Sequence, residues 1–321
     1  MSEAAKKQSE AAKKQSEAAT KQTENGPVVI EAAINGVVRK SDNPHVPRSR
    51  DEIRADIRAV IAAGASMVHP HQSDEGRGPT DTDDYAATWQ PVIDDEPALI
   101  LYPTVGTAGT YDERFGHMGE LARRRLLRVG AIDAGSTNLG VVGLDGVPLP
   151  SESVYQNSYA YIAHMVGLCA QHRLAPTFAI FEPTFLHTVL AYYNAGRLPS
   201  GAWLKFYFAG HGGYPGTGGA DRRPAPFGLP PTEKALDAYL EIIGECPIPW
   251  GVSAMGGDVV GCGIAELALR RGGHIHVGLE AYSGPRQPTN AELVDEVVTL
   301  ARSVGRTPVH HRECADFLGF G

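Results

Sequence analysis

Ala65-Ser-Met-Val-His-Pro-His71 is the stretch whose reading decides the fold. It is a short apolar run that ends in two histidines spaced i, i+2. Side chains alternate faces along a strand, so His69 and His71 project from one face and Pro70 from the other. Two imidazoles on one face, at the C-terminal end of a strand, can hold a single cation. Neutral imidazole is the commonest nitrogen ligand, and a catalytic Zn²⁺ typically takes three protein ligands and leaves one position open. The plain alternative is a pair of polar residues at a strand-to-loop boundary, and the surrounding chain weighs against it.

Outward from this stretch, short apolar runs alternate with longer amphipathic ones. Strands are expected over 28–35, 66–71, 98–103, 131–134, 176–181, 203–209, 250–253 and 274–279. Helices are expected behind them, over 49–63, 83–93, 112–129, 151–172, 183–194, 232–243, 259–271 and 290–304. Ser49-x-x-Glu52 and Thr289-x-x-Glu292 have capping-box spacing at two of the helix starts. A last segment over 309–318 is expected to pack over one end. Eight strand–helix units predict a (β/α)₈ TIM barrel with parallel strands inside and helices outside. A doubly wound open sheet is disfavoured, because Ile34-Asn-Gly-Val-Val-Arg39 lacks the Gly-x-Gly-x-x-Gly that follows a first nucleotide-binding strand.

Residues 1–26 differ in kind. Ser-Glu-Ala-Ala-Lys-Lys-Gln occurs at 2–8 and 9–15, and a near copy follows at 16–22. With only alanine among charges it reads as a solvated, partly helical tail, disordered or engineered, ahead of a catalytic domain over 27–321. It lacks the apolar core of a signal peptide. Across all 321 residues, 42% are hydrophobic and 21% charged, as expected of a soluble globular protein. No apolar run approaches the roughly 20 residues of a membrane span. The net charge of −8 argues against nucleic acid as a partner. Cys169, Cys246, Cys262 and Cys314 form no Cys-x-x-Cys pair, which fits a reducing cytoplasm.

Active sites of such barrels lie at the C-terminal strand ends. The eighth strand, His274-Ile-His-Val-Gly-Leu-Glu280, ends in a carboxylate that a closed barrel directs into the same mouth as His69 and His71. Two histidines and a glutamate make a three-ligand site with one open position, suited to zinc catalysis.

Ala32-Ala-Ile-Asn-Gly36, Ala62-Ala-Gly-Ala-Ser-Met-Val-His-Pro-His71, Asp133-Ala-Gly-Ser-Thr-Asn138, Gly273-His-Ile-His-Val-Gly-Leu-Glu280 and Asn290-Ala-Glu-Leu-Val294 carry a resemblance over nearly the whole chain from residue 27. The chain resembles the beta-keto acid cleavage enzymes, among them the 3-keto-5-aminohexanoate cleavage enzymes. The resemblance implies a zinc-bearing (β/α)₈ barrel with His69, His71 and Glu280 as ligands. It implies condensation of a beta-keto acid with acetyl-CoA to give acetoacetate and a new CoA thioester, in a homo-oligomeric enzyme. The sequence departs from the family at its chemistry. An arginine four residues before the metal glutamate is His276 here, and the aspartate after that glutamate is Ala281. A glutamate of the fifth strand is Ala179, a serine of the third is Pro103, and the arginine of His-x-His-x-Arg is Ser73. Arginine offers a carboxylate a bidentate clamp that histidine does not copy, so a different substrate or reaction is expected.

Asp133, Glu182, His276 and His211 are the candidates for catalysis, since the barrel aims each toward the mouth. Asp258 is a further candidate, Asp133 and Asp258 have the alternative reading of helix caps, and Glu31 and Asn35 share one face of the first strand. The glycine-rich stretch 210–219 lacks the Lys-Ser/Thr of a P-loop and reads as a lid, with Arg222 and Arg223 beside it. The expected function is zinc-dependent cleavage of a C–C bond in a small keto-substituted substrate, with acetyl-CoA as a co-substrate. A zinc hydrolase that uses water without CoA and a non-catalytic ligand-binding barrel stand as alternatives.

Overall fold

The computed structural model of the chain describes residues 26–152, 154–214 and 223–320. The repetitive tail over 1–25, Arg222 and half of the expected lid, residues 215–219, lie outside the described residues. The apolar runs become β1 (Ile30–Ala33), β2 (Met67–His69), β3 (Val129–Asp133), β5 (Ala175–Ile180), β6 (Trp203–Ala209), β8 (Trp250–Met255) and β9 (His274–Val277). These seven form one parallel sheet in the order β2-β1-β9-β8-β6-β5-β3. Two further short strands, β4 (Val141–Val142) and β7 (Arg223–Pro224), pair antiparallel as a separate ribbon that the hydrophobic pattern did not announce.

The sheet curls on itself. Glu31 of β1 meets Trp203 and Lys205 of β6, which lies three places along in the strand order. Strands buried on both faces read as nearly continuous apolar runs, and every residue of β5 and β8 is buried. On β6 the alternation is visible by contact. Phe206 stacks on Tyr239 of a flanking helix at 4.6 Å, whereas Trp203, Lys205 and Tyr207 face the interior of the curl.

The flanking helices are α1 (Arg50–Ala63), α2 (Thr82–Asp95), α3 (Tyr111–Arg123), α4 (Tyr159–His172), α5 (Pro183–Asn194), α6 (Glu233–Ile243), α7 (Ile264–Arg270), α8 (Asn290–Ser303) and α9 (Cys314–Leu318). Both expected capping boxes form, at Ser49 and Thr289, and a third forms at Thr110. The expected helix over 151–172 starts only after its Ser158 cap, and that over 259–271 only at Ile264, behind Gly261 and a left-handed Gly263.

One expected strand needs correction. The run 98–103 forms no named strand. It touches β2 through a single bridge, Val68 to Leu101, with Val68 N–H donating to Ile100 O at 3.0 Å. Pro97 and Pro103 bracket it, and proline gives no N–H to a ladder. Toward β3 the run is tied by a side chain, as Arg128 donates to Ala98 O.

Asn290, the first residue of α8, fastens the strand ends that matter most. Its Nδ2 donates to Ile34 O at 2.7 Å and to Asp56 Oδ2 of α1 at 2.6 Å, and its Oδ1 accepts from Leu279 N at 2.8 Å. Burial raises the Asp56 carboxyl to about 7. A raised native value means that folding favours the protonated form. Stability is therefore complete below the unfolded value near 4 and is lost as pH rises through about 7. Asp56→Asn is expected to flatten this slope. Urea unfolding at pH 5 and pH 8 should show the wild type losing on the order of 1–3 kcal/mol more than the variant. Equal losses in both would remove Asp56 as the cause.

Candidate metal centre at the strand ends

His69 ends β2, His71 follows it across Pro70, and Glu280 lies just past β9. Ligand atoms of the three lie within 4.8 Å of one another, and all three residues are buried. His69 Nε2 is 3.5 Å from Glu280 Oε2, and His71 Nε2 is 3.3 Å from Glu280 Oε1. His71 Nε2 and Glu280 Oε2 are nevertheless buried without a hydrogen-bond partner. Orphaned buried acceptors cost free energy, and a cation shared by the three groups would satisfy both. The donor set of two imidazole nitrogens and one carboxylate oxygen fits Zn²⁺.

The surrounding chain orients each group. His69 Nδ1 lies 3.0 Å from Tyr102 O, which leaves Nε2 toward Glu280, and the His69 ring stacks on Tyr102 at 4.4 Å. Asn35 Oδ1 accepts from His71 N at 2.8 Å. Burial pushes His69 down to about 3, so its imidazole is neutral at physiological pH, as a ligand must be. Burial acts upward on Glu280, but His71 and His69 outweigh it and hold the carboxyl below its ordinary range. Gly36 lies directly under this carboxylate, with φ +52°, and a Cβ there would come within 2.5 Å of Glu280 Cγ.

Beneath the three ligands lies a second buried cluster. Glu31 accepts from Tyr102 OH, from Trp203 Nε1 at 3.0 Å and from Lys205 Nζ at 3.3 Å. Lys205 also donates to Tyr102 OH at 2.7 Å. Burial acts to raise Glu31, but the adjacent Lys205 and His276 hold it below its ordinary value. His276 is fully buried here, its Nδ1 3.0 Å from Ser253 Oγ and its Nε2 3.4 Å from both Tyr207 OH and Glu31 Oε1. Burial lowers His276 in spite of Glu31.

The other candidates are spread around the mouth. Asp133, the last residue of β3, accepts from Tyr155 OH, and burial raises its carboxyl. Glu182 Oε1 accepts from Thr137 Oγ1 at 3.1 Å and from Gly228 N at 2.9 Å, joining the loop after β3 to the approach to α6. His211 is exposed in the turn after β6. Asp258 accepts from Val260 N at 3.1 Å and Gly261 N at 2.8 Å in the turn before α7, whose cap is Gly263, so the helix-cap alternative does not form. Ser73, at one departed family position, is held by Asp84 Oδ1 at 2.6 Å. Lys205, Tyr102, Tyr155 and Tyr207 escaped the sequence reading. A lysine at an interior-facing position of an otherwise apolar strand was the available signal for Lys205.

The family model for beta-keto acid cleavage enzymes matches residues 27–320. The chain belongs to the beta-keto acid cleavage enzyme family. It is 25% identical to a 3-keto-5-aminohexanoate cleavage enzyme of Acetoanaerobium sticklandii over 303 residues, covering 91% of this chain and 98% of that protein. It is 24% identical to a 3-oxoadipate:acetyl-CoA acetyltransferase of Cupriavidus necator, over 91% of this chain and 95% of the relative. Among solved structures, apo ObcA superimposes with a TM-score of 0.61 at 16% identity, over 87% of this chain. The chain spans 66% of the length of ObcA. These similarities make an enzyme of the beta-keto acid cleavage family the frame for the site.

Gly36→Ala combines a left-handed backbone with a collision at Glu280. It is expected to destabilise by about 1–3 kcal/mol and to lower the metal ion retained after dialysis. Wild-type stability and metal content in this variant would contradict the close approach.

Proposed function

We propose that the protein is a zinc-dependent enzyme that cleaves a C–C bond in a small keto-substituted acid, as an acyltransferase or lyase, with acetyl-CoA as co-substrate. The convergence of His69, His71 and Glu280 at the strand ends carries this reading, because it leaves two buried acceptors that a cation would complete. The name of the Cupriavidus relative supports acetyl-CoA as the second substrate. In this reading 27–321 is one catalytic domain, and 98–103 supplies the remaining stave of a (β/α)₈ barrel. The four free cysteines favour a cytoplasmic enzyme, and the exposed apolar residues Leu144, Val147 and Leu149 beyond β4 favour a homo-oligomer.

His69, His71 and Glu280 would hold Zn²⁺, which when bound supplies a Lewis acid that polarises a ketone next to the breaking bond. Asp133 is the proposed proton carrier. Its raised carboxyl retains a proton nearer to neutrality than an ordinary aspartate, and Tyr155 fixes its orientation. His276 stays neutral and positions the Tyr207 hydroxyl on the floor. Glu182 holds the two loops that border the mouth, and His211 is the exposed group from which a substrate's outer end takes a hydrogen bond. Ala281, Ala179 and Pro103 stand where the resemblance implies an aspartate, a glutamate and a serine, which favours a substrate unlike those named for the relatives.

The test is turnover of a panel of beta-keto acids by the zinc-loaded protein, with and without acetyl-CoA, following acetoacetate. CoA-dependent acetoacetate is the expected result. Metal-dependent turnover without CoA would replace the reading with hydrolysis, and no turnover with either would leave a binding barrel. Asp133→Asn is expected to lower kcat by about 10²–10⁴ with KM little changed. An unchanged kcat would remove Asp133 from proton transfer.

A further inference from the structure

The ring of His69 is oriented by Tyr102, yet Tyr102 sits where the sheet is weakest. The run 98–103 holds to β2 by one bridge, and Tyr102 N reaches Val68 O only at 3.4 Å. A residue so placed has little backbone ladder to fix its carbonyl, and that carbonyl lies 3.0 Å from His69 Nδ1. What fixes Tyr102 instead is its far end. Its hydroxyl donates to Glu31 on β1 and accepts from Lys205 on β6 at 2.7 Å. The Lys205 ammonium also lies 4.9 Å over the Tyr102 ring. Glu31 is fully buried and further anchored by Trp203 Nε1. A carboxylate and an ammonium enclosed together are costly to place, and removing one partner leaves the other charge buried and uncompensated.

From this geometry we propose that Glu31 is a positioning residue for the metal centre, acting through Tyr102 to fix the tautomer and ring plane of His69. The Glu31–Lys205–Tyr102 cluster replaces, with side chains, the ladder that the proline-bracketed run cannot form. The inference rests on the reading of His69, His71 and Glu280 as metal ligands. Partners of a ligating histidine's second nitrogen fix its tautomer, and losing them typically weakens metal binding about 10–100-fold.

The experiment measures Zn²⁺ affinity by chelator competition, and the visible spectrum of the Co²⁺-substituted protein. The variants are Tyr102→Phe, Glu31→Gln and Glu31→Ala/Lys205→Met, the last removing both buried charges so that neither is left unpaired. Tyr102→Phe keeps the ring and the carbonyl and removes only the hydroxyl anchor. It is expected to weaken Zn²⁺ binding about 10-fold or more and to shift the Co²⁺ bands. Adding Tyr102→Phe to Glu31→Ala/Lys205→Met should weaken binding no further, because the changes act on one path. A purely structural role would lower stability but leave the Co²⁺ bands of the folded variants in place. If the wild type binds one Zn²⁺ and Tyr102→Phe binds it with the same affinity and spectrum, the positioning role is overturned and the metal reading stands. If the wild type binds no Zn²⁺, the metal reading itself has failed.

Discussion

The constraint on which the structure depends is the enclosure of three metal-type donors that have no sufficient partners of their own. Two imidazoles and a carboxylate lie at and just beyond the ends of β2 and β9, buried, with His71 Nε2 and Glu280 Oε2 unpaired. Their arrangement is imposed from several sides. Asn35 holds the backbone of His71, Gly36 makes room for Glu280, and Asn290 clasps Leu279 to the end of β1. Asn35 and Gly36 follow β1 and Asn290 opens α8, so the site depends on these two elements being in register with β2 and β9 before any ligand arrives.

The convergence of the three candidate donors was the most legible part of the site. His69 and His71 alternate with an outward proline on a short strand, and parity alone puts them on one side. Glu280 could be paired with them only by assuming that the sheet curls, and resemblance to a known family supported that assumption. The floor was far less legible. Lys205, Tyr102 and Glu31 come from β6, from the run 98–103 and from β1, and no local pattern links them. Glu31 shares a strand face with Asn35, but its partners lie 71 and more residues away. Tyr155 reached Asp133 through an irregular loop, where periodicity carries no information.

Most of the fold followed from alternating apolar runs and helix caps, and its failures have physical causes. The run 98–103 has the hydrophobicity of a strand but sits between two prolines, so its ladder reduces to one bridge. The β4–β7 ribbon consists of two-residue strands, too short for period-2 patterning to register. Helix starts were misplaced where glycines or a serine cap defer the first turn, at 158 and 263.

The departures that the resemblance implies have a structural context. His276 is buried among Ser253, Tyr207 and Glu31 instead of carrying a permanent charge, and Ser73 is engaged by Asp84. The interior is built around a Lys205–Glu31 pair beneath the His69, His71 and Glu280 cluster. The most direct test of the account is X-ray absorption at the zinc edge of the purified, zinc-loaded protein. A nitrogen and oxygen shell at roughly 2.0–2.1 Å, with the outer scattering of two imidazoles, is the predicted result. A shell with sulfur, or one without imidazole scattering, would contradict it.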